Sequence, residues 1–413
     1  MCRRTVLLLS ICLCAARLSL QAQEFKLFDR QVQIHGFASQ GFVYTNNNNW
    51  LTMKTSDGSA AFTDFGANVS MQVTDRLRIG AQVYDHNIGN LGAWRPILDW
   101  AFADYRFKPW LSFRGGKVKT VIGLDNDTQD YEFLNAFALL PQSVYPLDMH
   151  DANIAHAGGD LYGDVRLGRL LGTLSYITYG GARWDSYYGG YPYELRKTLA
   201  PVNLTSNGGP QYGADLRWQT PLPGLVTGIS RMNQHDSGTG TFVPFWNPAV
   251  GKIPYWEYTR HYWLNQYYGE YSKSRLRVAS AYRRTYIDAV GFNGTSPVQF
   301  DIRGWYVSGS YRVAKRLELG SYYSHYAMTA RYQGILGLVF PPRLDTSRPQ
   351  NHIYDKVLSA RIDLNRFWNV KLEGHFMDGY GDGPYPDGFY PGDNPTGFKR
   401  NTNALVVRTG LNF

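Results

Sequence analysis

Cysteine is almost missing from this 413-residue chain. The three that exist, Cys2, Cys12 and Cys14, all lie in the first fourteen residues. The remainder therefore has no disulfide framework, no thiol nucleophile and no thiolate metal site. After residue 16 no apolar run reaches the length of a membrane-spanning helix. No dense Lys/Arg run is present, which argues against a nucleic-acid partner despite a net charge of +9, three units of which come from Arg3, Arg4 and Arg17. Gly-x-Ser-x-Gly, P-loop and His-Glu-x-x-His motifs are all missing, so nothing in the sequence marks an enzyme or calls for a cofactor.

The first residues read as an address. Arg3 and Arg4 precede a short apolar run, Val6 to Ala16, and Ala22 is small enough for cleavage. Residues 1–22 are expected to be a cleaved signal peptide, with a mature chain starting near Gln23. Acylation at Cys12 or Cys14 is the alternative, but neither follows small residues or sits right after the apolar run.

What the chain has is alternation. Phe65, Ala67, Val69, Met71 and Val73 alternate with Asp64, Gly66, Asn68, Ser70 and Gln72. After Thr74-Asp75-Arg76, Leu77, Ile79, Ala81 and Val83 alternate with Arg78, Gly80, Gln82 and Tyr84. The pattern returns around Tyr212–Trp218, Leu358–Leu364, Val370–Phe376 and Leu405–Phe413. Period two with unlike faces is the signature of strands. Short turns near 74–76, 107–110, 168–170, 221–224, 272–275, 314–316 and 365–367 alternate with long Gly/Pro/Asn/Tyr-rich stretches near 45–61, 87–97, 120–158, 180–209, 236–256, 287–299, 329–351 and 379–400.

Eight long loops imply about sixteen strands, fourteen or eighteen if a weak segment such as 171–179 or 257–271 is misread. The expected fold is all-β: a transmembrane, antiparallel, up-and-down β-barrel with short periplasmic turns and long extracellular loops, forming one domain over 23–413. Tyr (31) and Gly (43) are abundant and mean hydropathy is only −0.36, as suits a barrel with aromatic girdles. A soluble sandwich would also alternate, but it does not require loop lengths to alternate. A barrel this wide cannot be filled by its own side chains, so its polar face is expected to line water. The terminal strand ends on Phe413, which is expected to close the barrel and to present its assembly signal.

Residues 40–165 carry a resemblance. The order QGFVYTNNNNW, RLRIGAQVYDHNIG, LDWAFADYRF, FRGGKVKTVIGLDND, LLPQSVYPLDM and GGDLYGDV resembles the β-barrel porins of Gram-negative bacteria, in a branch similar to the phosphate-selective porin group. The stretch Arg114–Gly123 resembles that group's basic-Gly strand, with Val121 where the group usually has Pro. The resemblance implies an outer-membrane diffusion channel for small hydrophilic solutes or ions. It does not imply phosphate selectivity, since neither an Arg ladder nor a Lys cluster is present. Its implied surroundings are outer-membrane lipid and lipopolysaccharide and the barrel-assembly machinery, with a homotrimer as one assembly. A lipid-processing barrel enzyme and an adhesin or scaffold barrel are the alternatives.

The loop 125–156 holds an apolar cluster (Phe133, Phe137, Leu139, Leu140) and is expected to fold into the lumen, because such a cluster must pack on something. Candidate pore-lining or constriction residues are Arg114, Lys117, Lys119, Asp125, Asp127, Asp130, Glu132, Asp164, Arg166, Asp215, Arg217 and Arg361. Arg78, Lys371, Arg408, Asp104, Asp363 and Glu373 share the inward parity. Lys117 and Lys119 take the parity opposite to Arg114 unless Gly115-Gly116 forms a bulge. Charge rings of this sort select ions, and a mild anion preference is expected. Asp148, His150, Asp151 and His156 lack zinc spacing, and Asp378, Asp382, Asp387 and Asp393 lack calcium-loop spacing, so no metal is expected.

Overall fold

In the computed structural model, which describes residues 23–27, 30–197, 201–244, 247–381 and 388–413, the alternating segments become strands of one closed sheet. Residues 1–22, expected to be a signal peptide and holding all three cysteines, and Asp382 and Asp387 lie outside the described residues.

The strands are β1 (Gln23–Leu27), β2 (Arg30–Thr45), β3 (Ser59–Gln72), β4 (Leu77–Ile88), β5 (Ile97–Lys108), β6 (Leu111–Lys119), β7 (Ala155–Arg166), β8 (Thr173–Trp184) and β9 (Val202–Gln219). Then come β10 (Leu225–Gln234), β11 (Ser237–Phe242), β12 (Ile253–Lys273), β13 (Leu276–Gly291), β14 (Ser296–Ala314), β15 (Leu317–Tyr332), β16 (His352–Asp363), β17 (Trp368–Asp378) and β18 (Asn401–Asn412). β10 and β11 both pair with β9 and β12, so they form one stave broken at His235-Asp236. β1 is a short hairpin arm on β2. The wall is therefore a closed, antiparallel barrel of sixteen staves, β2 to β18.

Closure follows the terminal pattern. β18 pairs with β2, placing Arg408 opposite Gly41 and Leu405 opposite Tyr44. Phe413 continues the ladder, its N–H donating to the Gly36 carbonyl at 2.9 Å and its carbonyl accepting from Gly36 N–H at 3.1 Å. A Cβ at residue 36 would lie 2.3 Å from the Phe413 ring, so glycine there makes room for the terminal aromatic.

All seven short turns fall where the sequence places them. The long loops differ in three places. The 287–299 stretch is only a four-residue connection, 292–295, because β13 and β14 run on past the apolar belt. The 180–209 loop shrinks to 185–201, and the 236–256 loop contains β11. In each, Gly- and Asn-rich sequence was compatible with strand once a neighbour supplied ladder bonds.

The two faces separate as alternation requires. Val69, Val83, Phe113, Leu161, Leu216, Leu358 and Leu372 stand exposed on the outer face. An apolar belt this extensive is stable against lipid rather than water. Ser39, Asp64, Gln82, Asp215, Lys371, Glu373 and Arg408 are buried on the inner face. Loops 46–58, 89–96, 185–197 and 388–400 meet over one end of the barrel, with Trp50, Leu51, Phe389 and Tyr390 buried among them.

Candidate functional site

The loop between β6 and β7, residues 120–154, does fold inward, and it does more than narrow the lumen. An irregular segment at this depth carries backbone groups that no sheet or helix satisfies. The wall supplies the partners. Arg217 donates to the Gly123 carbonyl at 2.8 Å. Arg361 donates to Phe133 O at 2.6 Å and Asn135 O at 3.0 Å. Lys371 Nζ donates to Glu132 O at 2.6 Å and Phe137 O at 3.0 Å. Arg408 donates to Ala138 O, and Arg283 to Val144 O, at 2.8 and 2.7 Å. In return the Ala138 and Leu139 N–H groups donate to the Glu373 carboxylate at 2.9 and 3.2 Å. Five cations and one carboxylate, on β9, β13, β16, β17 and β18, thus clasp the loop from around the barrel.

The entry to the loop is fixed as tightly. Gly123 has φ +70°, and a Cβ there would lie 1.9 Å from Gln266 Nε2, so only glycine fits. Its N–H donates to Ser230 Oγ at 2.8 Å. The apolar cluster anticipated from the sequence packs as expected: Phe137 meets Tyr322 edge-on at 5.1 Å, and Leu139 joins the main interior cluster.

The four acidic candidates in the first half of the loop, Asp125, Asp127, Asp130 and Glu132, separate into distinct environments. Asp130 is buried and bonded to both Lys119 and His150. Burial opposes its ionisation, but Lys119 and His150 hold its carboxyl far below the usual range. Glu132 lies 2.6 Å from Lys371, which likewise keeps it low against the effect of burial. Asp125 faces Arg277 at 3.3 Å, and burial leaves it above the ordinary carboxylate range. Asp127 is half-buried, raised by burial, with Arg217 as its strongest counter-charge. The loop also reaches the mouth-covering segments, where Tyr390 OH donates to Asp148 at 2.7 Å. Burial raises Asp148 to about 7.

On the wall, Arg114 pairs with Asp160 at 2.5 Å, and its register partner Asp104 accepts from Tyr162 at 2.7 Å. Asp215 accepts from Ser230 and Tyr268, at 2.6 and 2.9 Å, and Arg217 leans over the Tyr268 ring. Asp164 and Arg166 are exposed near the short turns, away from the loop, with Asp164 accepting from Ser175 at 2.6 Å. Lys119, at the end of its strand, reaches Asp99 at 2.9 Å.

Lys117 is a correction. The pairing of β6 with β7 runs from Arg114–Asp160 to Lys119–Ala155 without a shift, so Gly115-Gly116 makes no bulge there. Lys117 therefore shares the outward parity of Phe113, and its ammonium donates to Leu98 O at 2.6 Å. The water-lined inner face is a second correction. At the level of the loop the wall meets protein: Lys371, Glu373 and His375 are 0% exposed. On the short-turn side of the loop a cavity of about 420 Å³ remains, lined by Lys315, Arg316, Arg361, Asp363, Asn369 and Asn412 among others.

His150 goes to Asp130, His156 to Thr120 and Asp148 to Tyr390, so the histidine-rich segment is spent on separate partners. Sequence reasoning placed Lys371, Glu373 and Arg408 on the inner face without seeing that they hold the loop. It missed Asp64, Asp99, Arg277 and Arg283. Arg408 meets Asp64 at 2.5 Å across the β18–β2–β3 seam, and inward parity on β3 was the signal available.

A sixteen-stave barrel crossed by a loop that its own wall holds defines the structural class. Solved structures of outer-membrane proteins match its fold over almost the whole chain. OmpT, an outer membrane protein of Vibrio cholerae, is 12% identical, with 95% of this chain and 100% of that chain covered and a TM-score of 0.55. An anion-selective porin from Comamonas acidovorans is 10% identical, with 93% and 100% covered and a TM-score of 0.53. OmpF of Salmonella typhi, in complex with daunomycin, is 12% identical, with 95% and 100% covered and a TM-score of 0.53. No family model matches the chain, and no curated protein matches it.

Proposed function

We propose that this protein is an outer-membrane porin, a passive channel for small hydrophilic solutes or ions rather than an enzyme, exported by its leader 1–22. The observation that carries the reading is the loop 120–154, clasped across the lumen by wall charges. Passive permeation needs a polar path, a constriction and a charge bias, and no reaction. The barrel supplies the wall, and the loop supplies the constriction. The solved structures of like fold include porins, among them an anion-selective one, and a trimer form of OmpT. A homotrimer in outer-membrane lipid and lipopolysaccharide, assembled by the barrel-assembly machinery, fits this reading.

Selectivity should be mild. Arg114, Arg277, Arg312 and Arg361 each have a carboxylate within 3.3 Å, so the lumen is close to charge-compensated, with cations in slight excess at the short-turn mouth. The reading does not extend to phosphate. Single-channel recording in planar bilayers under a salt gradient tests it. Small, ohmic conductance with weak anion preference is the expected result. Heat-modifiable, folded protein that inserts without conducting would overturn the channel.

A further inference from the structure

The outer wall carries a charged cluster where alternation calls for lipid contact. Met232, Leu264 and Ile302 are inward, so Arg231, Asn265, Arg284 and Arg303 stand outward on β10, β12, β13 and β14. The register joins them in one row: Arg231 opposite Asn265, Asn265 opposite Arg284, Arg284 opposite Arg303. Trp263 sits between two guanidinium groups, Arg231 at 5.0 Å and Arg284 at 5.5 Å from its ring centre. Arg231 is braced by Asn265 and Asn233, both at 2.9 Å. Asp301 takes a two-point bond from Arg284 at 2.9 Å and another from Arg303 at 2.9 Å. Arg284 and Arg303 thus share one carboxylate, and Arg231, held by two amides, adds a third cation to the row. The next pair along the strands, Arg260 and Asp288, meet at 2.7 Å and cancel each other.

Height decides what such a row meets. Between the row and the short turns the same strands present Ile229, Tyr267, Tyr282, Val278, Val307 and Tyr311 outward. Arg284 lies eight residues beyond Leu276 on β13. At roughly 3.3 Å per residue and a tilt of about 40° that is about 20 Å above the turn, close to the far edge of a belt about 25 Å tall. An arginine is tolerated at that edge and disfavoured at mid-plane.

We propose that Arg231, Arg284 and Arg303 form a binding site for the phosphate of a lipid headgroup in the leaflet on the long-loop side. This rests on the reading of the barrel as an outer-membrane protein. The row has a net positive charge and planar donors that match phosphate oxygens, and it lies at headgroup level above an apolar belt that accepts acyl chains.

The test uses the full chain folded in detergent, probed with bisphosphorylated lipid A and with its dephosphorylated form and read by native mass spectrometry. The double variant R231Q/R303Q leaves the Arg284–Asp301 pair intact, and R303Q alone serves if the double variant fails to fold. Wild type should retain the phosphorylated lipid, and the double variant should retain it roughly tenfold less well. The dephosphorylated lipid should not distinguish the proteins. Equal retention by both proteins overturns the site, as does wild-type retention that is indifferent to phosphate. A variant that loses its oligomeric state while retaining the lipid would make the row a contact between copies and likewise overturn it. Heat-modifiable mobility and bilayer insertion, measured alongside, separate this failure from failure of the outer-membrane reading, in which wild type itself would not insert.

Discussion

Two long loops on the same side of the barrel end up in opposite places. The segment 120–154 lies inside, with Ala136, Phe137, Ala138 and Leu139 buried. The segment 333–351 stays outside, with Leu338 88% exposed and Leu344 55% exposed. Both carry apolar residues, so apolar content alone does not sort them. The ties do. The outer loop's bonds run within itself and, through uncharged groups, to neighbouring strands and loops: Arg343 N–H with the Ala330 carbonyl, Asn351 with Asp345 O, His352 with Thr346 O, Leu336 N–H with Ser296 Oγ, and the Pro349 carbonyl with the Tyr380 and Gly381 N–H groups. The inner loop gains charge-assisted bonds from strands far away in sequence, and these satisfy the backbone groups that its irregular path leaves over. A loop enters a barrel when the wall facing it carries donors for its carbonyls.

The sharpest way to break this contrast is to remove the wall's donors. Lys371→Met strips the contacts to Glu132 O and Phe137 O and takes from the buried Glu132 its paired cation, leaving only the weaker fields of Arg408 and Arg361. Breaking a buried pair from one side costs about 3–5 kcal/mol. Arg408→Met should cost a similar amount through Asp64. In folded protein either change should expose residues 130–140 to limited proteolysis and raise conductance. Unchanged cleavage and conductance would mean that the apolar packing of Phe137 and Leu139 holds the loop without the wall.

Deletion probes the same contrast from the loop side. Removing about ten residues within 125–156 should enlarge conductance while heat-modifiable folding persists. Removing the helical turn Gly334–Val339 from the outer loop should leave conductance as it was. Equal effects, or none, would dissolve the distinction between the loops. Deleting Phe413, by contrast, should lower the amount of folded barrel in membranes, because both of its backbone bonds to Gly36 close the seam.

A smaller effect is expected from pH. Burial holds Asp148 protonated up to about 7 in the folded chain, against 3.8 ordinarily. Between those values the folded state keeps a proton that the unfolded chain has released, so this carboxyl's contribution falls as pH rises and levels off above 7. At about 1.4 kcal/mol per pH unit, the whole change over this span is of order 4 kcal/mol. Asp148→Asn should remove that slope relative to wild type when the proteolytic stability of the loop is followed from pH 4 to 8. A slope identical in the two proteins would place the titration elsewhere.

Much of this was legible beforehand. Period-two alternation in a wall with unlike faces showed the strands, their parity and all seven turns. Parity also put Lys371, Glu373 and Arg408 inward. What alternation cannot show is which inward charges meet across the lumen, because Arg408 and Ala138, or Lys371 and Glu132, are joined by closure of the barrel rather than by spacing. Lys117 went astray because Gly-Gly permits a bulge without requiring one. The strands β13 and β14 outran their expected ends because polar, glycine-bearing sequence reads as loop until a neighbour supplies its ladder.

The smallest effect expected is on selectivity, and it separates the clasped part of the wall from the open part. Arg114 is held by Asp160 and its side chain is 21% exposed, whereas Arg217 is tied to the loop through Gly123 O and its side chain is 31% exposed. Replacing either with Glu reverses one charge in a lumen where most charges are paired. Salt screens such a charge beyond about 8–10 Å, so the anion-to-cation permeability ratio should fall by less than roughly threefold for Arg114→Glu. Arg217→Glu should shift it in the same direction and also raise conductance, because it repels the Gly123 carbonyl and frees the loop's entry. Reversal potentials in a salt gradient measure the first effect, and unitary conductance measures the second. A shift in neither would place both arginines off the permeation path. A shift with Arg114→Glu but no conductance change with Arg217→Glu would mean that Ser230 and the tight turn at Gly123 anchor the loop without the arginine.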